Sequence, residues 1–209
     1  PQCNLYQPLG LGTRDQGLVE IALGIGLPDD ADVLDLGTGS GAIALALASE
    51  RPDWRVLGID RSTAALEIAR ANARRLGLSS VEFACGDWFS ALPGGASFDL
   101  IVGNPPYVAQ DDPHLERGDL RFEPMQALVA GEDGLKDIRA IVDASPGFLR
   151  PGGWLWLEHG RDQGSRVVDL LQRSGFQQVM LRRDLAGQER HAGGRMPARS
   201  AGQPRHDRP

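Results

Sequence analysis

The 209-residue sequence predicts an α/β fold, a doubly wound and mostly parallel sheet. Two observations carry this. From Asp32 onward short apolar strand segments alternate with helical segments, and a glycine-rich turn joins the first strand to its helix. Alternation of that kind needs crossover connections, which pair strands in parallel and cover both faces of the sheet. No internal repeat points to a different architecture.

Residues 1–16 read as a loop, with Pro8, Gly10 and Gly12 breaking any period; a short helix from Gln16 to Gly24 places Leu18, Val19, Ala22 and Leu23 on one side. Pro28-Asp29-Asp30 marks a turn. Val33 to Leu36 is an apolar strand, and the Ala/Leu-rich helix from Ala42 to Ser49 must stop before Pro52, because proline disfavours helix in the residue ahead of it. Arg55 to Ile59 forms the second strand. Ser62 is suited to cap a helix over Thr63–Leu76, with Leu66, Ala69, Ala73 and Leu76 on one face and Gly77 closing it. Val81 to Phe83 and Phe98 to Val102 are the third and fourth strands. A helix over Leu135–Ala144, a strand at Trp154–Glu158, a helix over Gly164–Ser174 and a last strand at Phe176–Leu181 complete the pattern.

Three segments follow from this reading. Residues 1–26 are an N-terminal remnant with a linker helix, 27–192 form the domain, and 193–209 form an Arg/Pro-rich tail without an apolar period, expected to be disordered.

Hydrophobic content of 41% and charged content of 24% are values of a globular protein. Cys3 and Cys85 give neither a disulfide framework nor metal-ligand spacing, so Cys85 is expected as a small buried residue of a reduced, cytoplasmic protein. No run approaches the ~18 apolar residues of a membrane span, and no metal cluster is visible. The net charge of −6 is uneven: residues 182–209 hold seven arginines against three acids, leaving 15 basic and 25 acidic residues before them. An acidic body of that kind is a poor partner for a phosphate backbone, which excludes direct nucleic-acid binding as the first expectation.

Gly37-Thr38-Gly39-Ser40-Gly41 lies between a strand and a helix, where a chain without Cβ atoms lets a ligand approach and helix N–H groups point outward. The spacing is G-x-G-x-G, not the G-x-G-x-x-G that cradles a pyrophosphate. Asp35 precedes it, an acid that repels a diphosphate and suits the ammonium end of a methionine moiety. Asp60 ends the second strand, where a carboxylate accepts hydrogen bonds from both hydroxyls of a ribose. Trp88, after the third strand, is a candidate to stack on an adenine, or equally an ordinary core aromatic. The glycine spacing and Asp35 tilt the cofactor from a dinucleotide to S-adenosyl-L-methionine, whereas Asp60 points to a ribose in either case.

Asn104-Pro105-Pro106-Tyr107 follows the fourth strand on the same edge. Two prolines fix φ and remove two N–H donors, so the turn offers carbonyl oxygens and the Asn104 amide. Such a turn accepts hydrogen bonds from a planar –NH2 group, with the Tyr107 ring over its plane. No nucleophile triad or general base accompanies it. The histidines at 114, 159, 191 and 206 are scattered and read as structural or surface residues. Orientation of the nitrogen toward a methyl donor is then the main catalytic device.

Beyond these motifs, the chain carries Leu34–Leu45, Gly86-Asp87-Trp88-Phe89, Asn104-Pro105-Pro106-Tyr107, Asp112-Pro113-His114-Leu115, Arg121-Phe122-Glu123-Pro124, Gly131-Glu132-Asp133-Gly134-Leu135 and Leu157-Glu158-His159-Gly160 in order. Together they resemble the protein-(glutamine) methyltransferases that modify class 1 peptide chain release factors. The resemblance implies a Rossmann-like class I methyltransferase. It implies S-adenosyl-L-methionine held by Gly37, Thr38, Gly39, Ser40, Gly41, Asp60, Trp88 and Asn104. It also implies Asn104, Pro105, Pro106 and Tyr107 as the catalytic and substrate-binding turn for the glutamine of a Gly-Gly-Gln loop, with release factors as protein partners in the cytoplasm. Against the family pattern, the sequence reads as lacking the small helical N-terminal domain, with the Ile-Pro-Arg-Pro-like stretch ending in Thr-Glu altered and the family's ending expected to dissolve after about Arg195. Two other readings stay open: a methyltransferase for the exocyclic amine of adenine in DNA or RNA, and a catalytically impaired cofactor-binding remnant.

Overall fold

The computed structural model describes residues 13–108, 130–184 and 186–198. Its helices are α1 (Thr13–Gly24), α2 (Ala42–Glu50), α3 (Thr63–Leu76), α4 (Lys136–Ala144) and α5 (Gly164–Arg173). The strands are β1 (Asp32–Leu36), β2 (Arg55–Asp60), β3 (Glu82–Cys85), β4 (Phe98–Gly103), β5 (Leu149–Glu158), β6 (Gln177–Arg183) and β7 (Glu189–Arg195). They form one seven-stranded sheet in the order β3-β2-β1-β4-β5-β7-β6. Pairing is parallel from β3 to β5 and antiparallel on both sides of β7. The doubly wound, mostly parallel sheet expected from the sequence is the fold observed.

Local chemistry explains the boundaries that sequence reading placed well. The Ser62 hydroxyl accepts the Ala65 N–H at 3.2 Å and Gly77 takes a left-handed conformation at the far end, so α3 is capped at both termini. The buried stripe of that helix is Leu66, Ala69 and Ala73. Pro146 does not interrupt α4, because the helix has ended at Ala144 and the chain makes a short 3-10 turn over Ser145–Gly147.

Four expectations need correction. First, the segment assigned to a remnant contains α1, whose Leu18 and Val19 are fully buried and Ala22 nearly so, in the same apolar cluster as β1, α2 and Trp156. This helix is part of the core. Second, the tail does not begin at 193: β7 runs through Arg195 between β5 and β6. Glycines carry little strand propensity, yet here they are required by packing. A Cβ on Gly193 would lie 2.2 Å from the Trp156 ring and 2.6 Å from the Leu155 carbonyl oxygen, and one on Gly194 would be 2.8 Å from Phe176 Cβ. Third, β5 starts at Leu149 rather than Trp154, because a register shift against β4 between Phe98 and Leu100 absorbs Pro151-Gly152-Gly153. Fourth, Cys85 is exposed, since it ends β3 at the edge of the sheet.

The opposite, amino-terminal end of the sheet is tied by charge. Arg150 on β5 pairs with Asp32 on β1 and with Asp99 on β4, and Arg55 on β2 also reaches Asp32. The arginine partners hold the Asp32 carboxyl below its ordinary range, with the Arg55 hydrogen bond the largest cause. Among the described residues no helix is long and apolar enough to cross a membrane.

Candidate functional site

Register assembles the site. Leu36 on β1 is paired with Ile59 on β2 and Gly103 on β4, and Gly103 with Leu157 on β5. The next residue of each parallel strand therefore lies on one row at the carboxyl edge: Asp60, Gly37, Asn104 and Glu158. His191 on β7 completes the row as the partner of Glu158. Neighbouring strands are about 4.8 Å apart, so the glycine loop and the Asn104 segment leave the sheet side by side. Gly103 is close-packed there: a Cβ would be 3.0 Å from the Leu36 carbonyl oxygen.

The glycine loop is held from behind and open in front. Gly37, Gly39 and Gly41 have φ of 69°, 55° and 81°, the left-handed region that a side chain disfavours. Gly37 and Thr38 both donate their N–H groups to the Ile59 carbonyl, at 2.8 and 3.0 Å. A Cβ on Gly39 would meet nothing closer than 3.9 Å, so that side of the loop is open. Ser40 is anchored through its carbonyl, which accepts the Asn72 side-chain amide at 3.0 Å. Asp60 accepts the Gly39 N–H on one oxygen at 2.9 Å and the Ser62 N–H on the other at 2.8 Å. Each carboxylate oxygen keeps a second lone-pair position, so Asp60 can still receive hydroxyl donors.

Asp35 is buried behind the loop. One oxygen accepts the Thr38 hydroxyl at 2.6 Å and the Ala44 N–H at 3.2 Å, which caps the start of α2. Thr38 is thus turned inward onto Asp35. The other oxygen of Asp35 has no hydrogen-bond partner among the described residues. Burial, with repulsion from Asp15 and Asp60, pushes this carboxyl up to about 7 against the two hydrogen bonds that oppose it. Three carboxylates therefore share one end of the crevice, and a cation is the ligand that such an arrangement favours.

Trp88 has a positive φ of 47° and lies over the loop: a Cβ on Gly37 would be 3.4 Å from its six-membered ring. The ring is half-buried and leans on the core beside the glycine loop.

Asn104, Pro105, Pro106 and Tyr107 follow β4 directly, but as an irregular, unbent segment rather than the turn expected from the sequence, because a residue ahead of proline favours extended backbone and both Asn104 and Pro105 are so placed. The Asn104 side-chain N–H donates to the Asp15 carboxylate of α1 at 3.1 Å. The Tyr107 hydroxyl donates to Glu158 at 2.9 Å, and that glutamate is fully buried. Gln163, at the start of α5, links three loops. Its oxygen accepts the Gly160 N–H at 2.8 Å, and its nitrogen donates to the carbonyls of Tyr107 at 2.9 Å and Asp133 at 3.3 Å. Gly134 makes room for this: a Cβ there would collide with the Tyr107 carbonyl and sit 2.6 Å from the Gln163 amide. Asp133 is itself held by Arg139.

Asp15 and Gln163 were not singled out from the sequence, and Glu158 entered only as part of a motif. The available signals were slight: an acid in the first turn of a helix, and a polar residue just ahead of one. His159 and His191 are fully buried, so both are structural rather than surface residues. Burial lowers the His159 pKa and keeps the ring neutral, with Nδ1 2.8 Å from the Gly160 carbonyl. His114, His206 and the motifs 112–115 and 121–124 lie outside the described residues.

The chain is 53% identical over 173 residues to the release factor glutamine methyltransferase of Vibrio cholerae, covering 83% of this chain and 60% of the relative. For the protein of the same name from Pseudomonas aeruginosa the identity is 57% over 173 residues, with 83% and 62% covered. The chain thus spans about three-fifths of the length of these curated relatives. Among solved structures, ribosomal protein L11 methylase from Lactobacillus delbrueckii subsp. bulgaricus has a TM-score of 0.65 at 19% identity, covering 90% of this chain and 81% of that one. A T. thermophilus 16S rRNA N2 G1207 methyltransferase, in complex with AdoMet and guanosine, has a TM-score of 0.65 at 23% identity, covering 89% and 43%. These two likenesses are of fold. The family described as "Methyltransferase domain" matches residues 27–146. That match takes in β1 to β4, the glycine loop, Asp60, Trp88 and the Asn104 segment, more than half of the sequence, and the chain belongs to this methyltransferase-domain family.

Proposed function

We propose that the chain transfers a methyl group from S-adenosyl-L-methionine to the side-chain amide nitrogen of the glutamine in the Gly-Gly-Gln loop of peptide chain release factors, in the cytoplasm. The observation that carries this reading is the Leu36–Gly103 register, which sets a cation-favouring glycine loop beside a proline-locked amide. The names and high identity of the curated relatives supply the substrate class.

The residues present fit the cofactor. Gly39 leaves space for it, Asp60 would receive the ribose hydroxyls, the Asp35 carboxyl behind the loop would favour the positively charged end, and Trp88 would pack on the base. When bound, the cofactor supplies a methyl group on a positively charged sulfur. The protein's part is to hold the acceptor. An amide nitrogen is a weak nucleophile, so its position matters more than the strength of any base. The Asn104 oxygen accepts one N–H of the glutamine, and carbonyl oxygens of the proline segment accept the other. Tyr107, fixed at its hydroxyl by Glu158 and at its carbonyl by Gln163, forms a rigid wall beside the amide plane.

Incubation with methyl-labelled cofactor and an unmodified release factor tests the reading. Label should appear in the release factor and vanish when the glutamine of its Gly-Gly-Gln loop is replaced. Labelling of DNA or RNA in place of the protein would transfer the assignment to the adenine amine, and no labelling at saturating cofactor would refute catalysis by this chain.

A further inference from the structure

We infer that Asp15 is a positioning residue that selects which end of the Asn104 carboxamide faces the acceptor. The inference rests on the proposed function and concerns a residue of the N-terminal helix that the sequence motifs leave out.

A carboxamide has two ends of similar shape and opposite hydrogen-bonding character. Only the oxygen end can accept an N–H from a substrate amide; the nitrogen end would repel it. The segment itself does little to set this choice, because Pro105 and Pro106 have no N–H groups with which to hold the Asn104 side chain. Asp15 sets it. An ionised carboxylate accepts and does not donate, so the end turned to it must be the nitrogen, and Nδ2 of Asn104 donates to Asp15 Oδ1 at 3.1 Å. The reverse orientation would face oxygen against carboxylate. The amide oxygen is thereby left for the substrate.

Asp15 is held at that place by the packing of α1. Leu18 and Val19 are fully buried beneath it, and Gly17 lies so close to the fully buried His191 that a Cβ would strike the ring. The first turn of a helix is also a favourable position for a carboxylate.

The test uses the full chain in two arms. In the first, the Asn104 side-chain amide protons are observed by 15N NMR, assigned by their absence in N104D. In D15A the Asn104 signals should move and exchange faster with water. In the second, D15A should lower kcat by about tenfold, the lower end of what losing a supporting partner costs, with the KM for release factor changed by less than about threefold. N104D should be nearly inactive, since it faces one carboxylate with another. D15N/N104D should regain activity over N104D, because the pair is restored with its donor and acceptor exchanged. A role confined to stability gives no such rescue. Unchanged Asn104 amide signals in D15A would overturn the inference whether or not the wild-type chain transfers methyl groups. So would a wild-type kcat in D15A, or a double variant no better than N104D. Absence of transfer by the wild type would instead refute the proposed function and leave the NMR arm to decide.

Discussion

The amide nitrogen of Gln163 donates to the carbonyl of Tyr107 at 2.9 Å, while the oxygen of the same side chain accepts from Gly160. One residue outside the Asn104–Tyr107 segment thus ties it to the loop after β5 and, through the Asp133 carbonyl, to the segment before α4. Gln163→Met keeps the length and removes every one of these bonds. Buried backbone groups that lose a partner cost about 1–3 kcal/mol in stability, which urea unfolding will report. Methyl transfer should fall by about 10- to 100-fold through kcat, the range for a misplaced acceptor site, with cofactor Kd little changed. Equal losses in kcat and in cofactor binding would mean that Gln163 supports the whole edge rather than the Asn104–Tyr107 segment.

Asn104→Ala separates the two halves of the site. The glycine loop takes its support from Ile59 and Asp60 and does not depend on Asn104. Cofactor affinity should therefore stay within about tenfold of wild type while kcat drops by at least about a hundredfold, as when an oriented hydrogen-bonding group is removed from an active site. Isothermal titration and single-turnover transfer measure the two quantities. Parallel loss of both would identify Asn104 as a cofactor ligand first.

These cases also show what the sequence could and could not reveal. Elements governed by local chemistry were legible: Ser62 and Gly77 bound α3, and the glycine loop follows directly from the strand before it. So was the place of Asn104 just beyond β4, although Pro105 and Pro106 keep the chain extended there instead of turning it. Elements governed by distant packing were not. Nothing local in Glu189–Arg195 signals a strand, since its two glycines are there to admit Trp156 and Phe176. Asp15 and Gln163 act across 89 and 56 residues of chain, and a separation of that size has no signature in composition or period.

The Gly193 packing can be tested directly. The space that its missing Cβ leaves is filled by the Trp156 ring, which is fully buried, and by the Leu155 carbonyl. Neither can retreat, since one lies in the core and the other belongs to the β5 ladder. Gly193→Ala should destabilise the chain by about 3 kcal/mol or more, at the upper end of overpacking effects. Tryptophan fluorescence during urea unfolding should show a lower midpoint with little change in slope. A stability within about 0.5 kcal/mol of wild type, the range of neutral surface changes, would mean that β7 does not pack against Trp156 as described.

Asp35 gives the site a pH dependence of defined sign. Its carboxyl is raised to about 7 by burial first, then by repulsion from Asp15 and Asp60. A group whose pKa is raised in the folded state contributes stability that is complete below its unfolded value near 4 and is lost as pH climbs through 7. The free chain should therefore melt at a lower temperature at pH 7.5 than at pH 5.5 through this residue, and D35N should flatten that difference. Cofactor binding follows the opposite slope. A positively charged ligand favours the ionised carboxylate, so binding below pH 7 expels a proton and affinity rises with pH, by at most about tenfold per unit. The rise should be followed only to about pH 7.5, because an α-amino group begins to lose its own charge near 7.7–8.0. Calorimetry at pH 6.5 in two buffers of different ionisation enthalpy counts the protons released. A count near zero, with affinity flat between pH 5.5 and 7.5, would show that the cation does not approach Asp35.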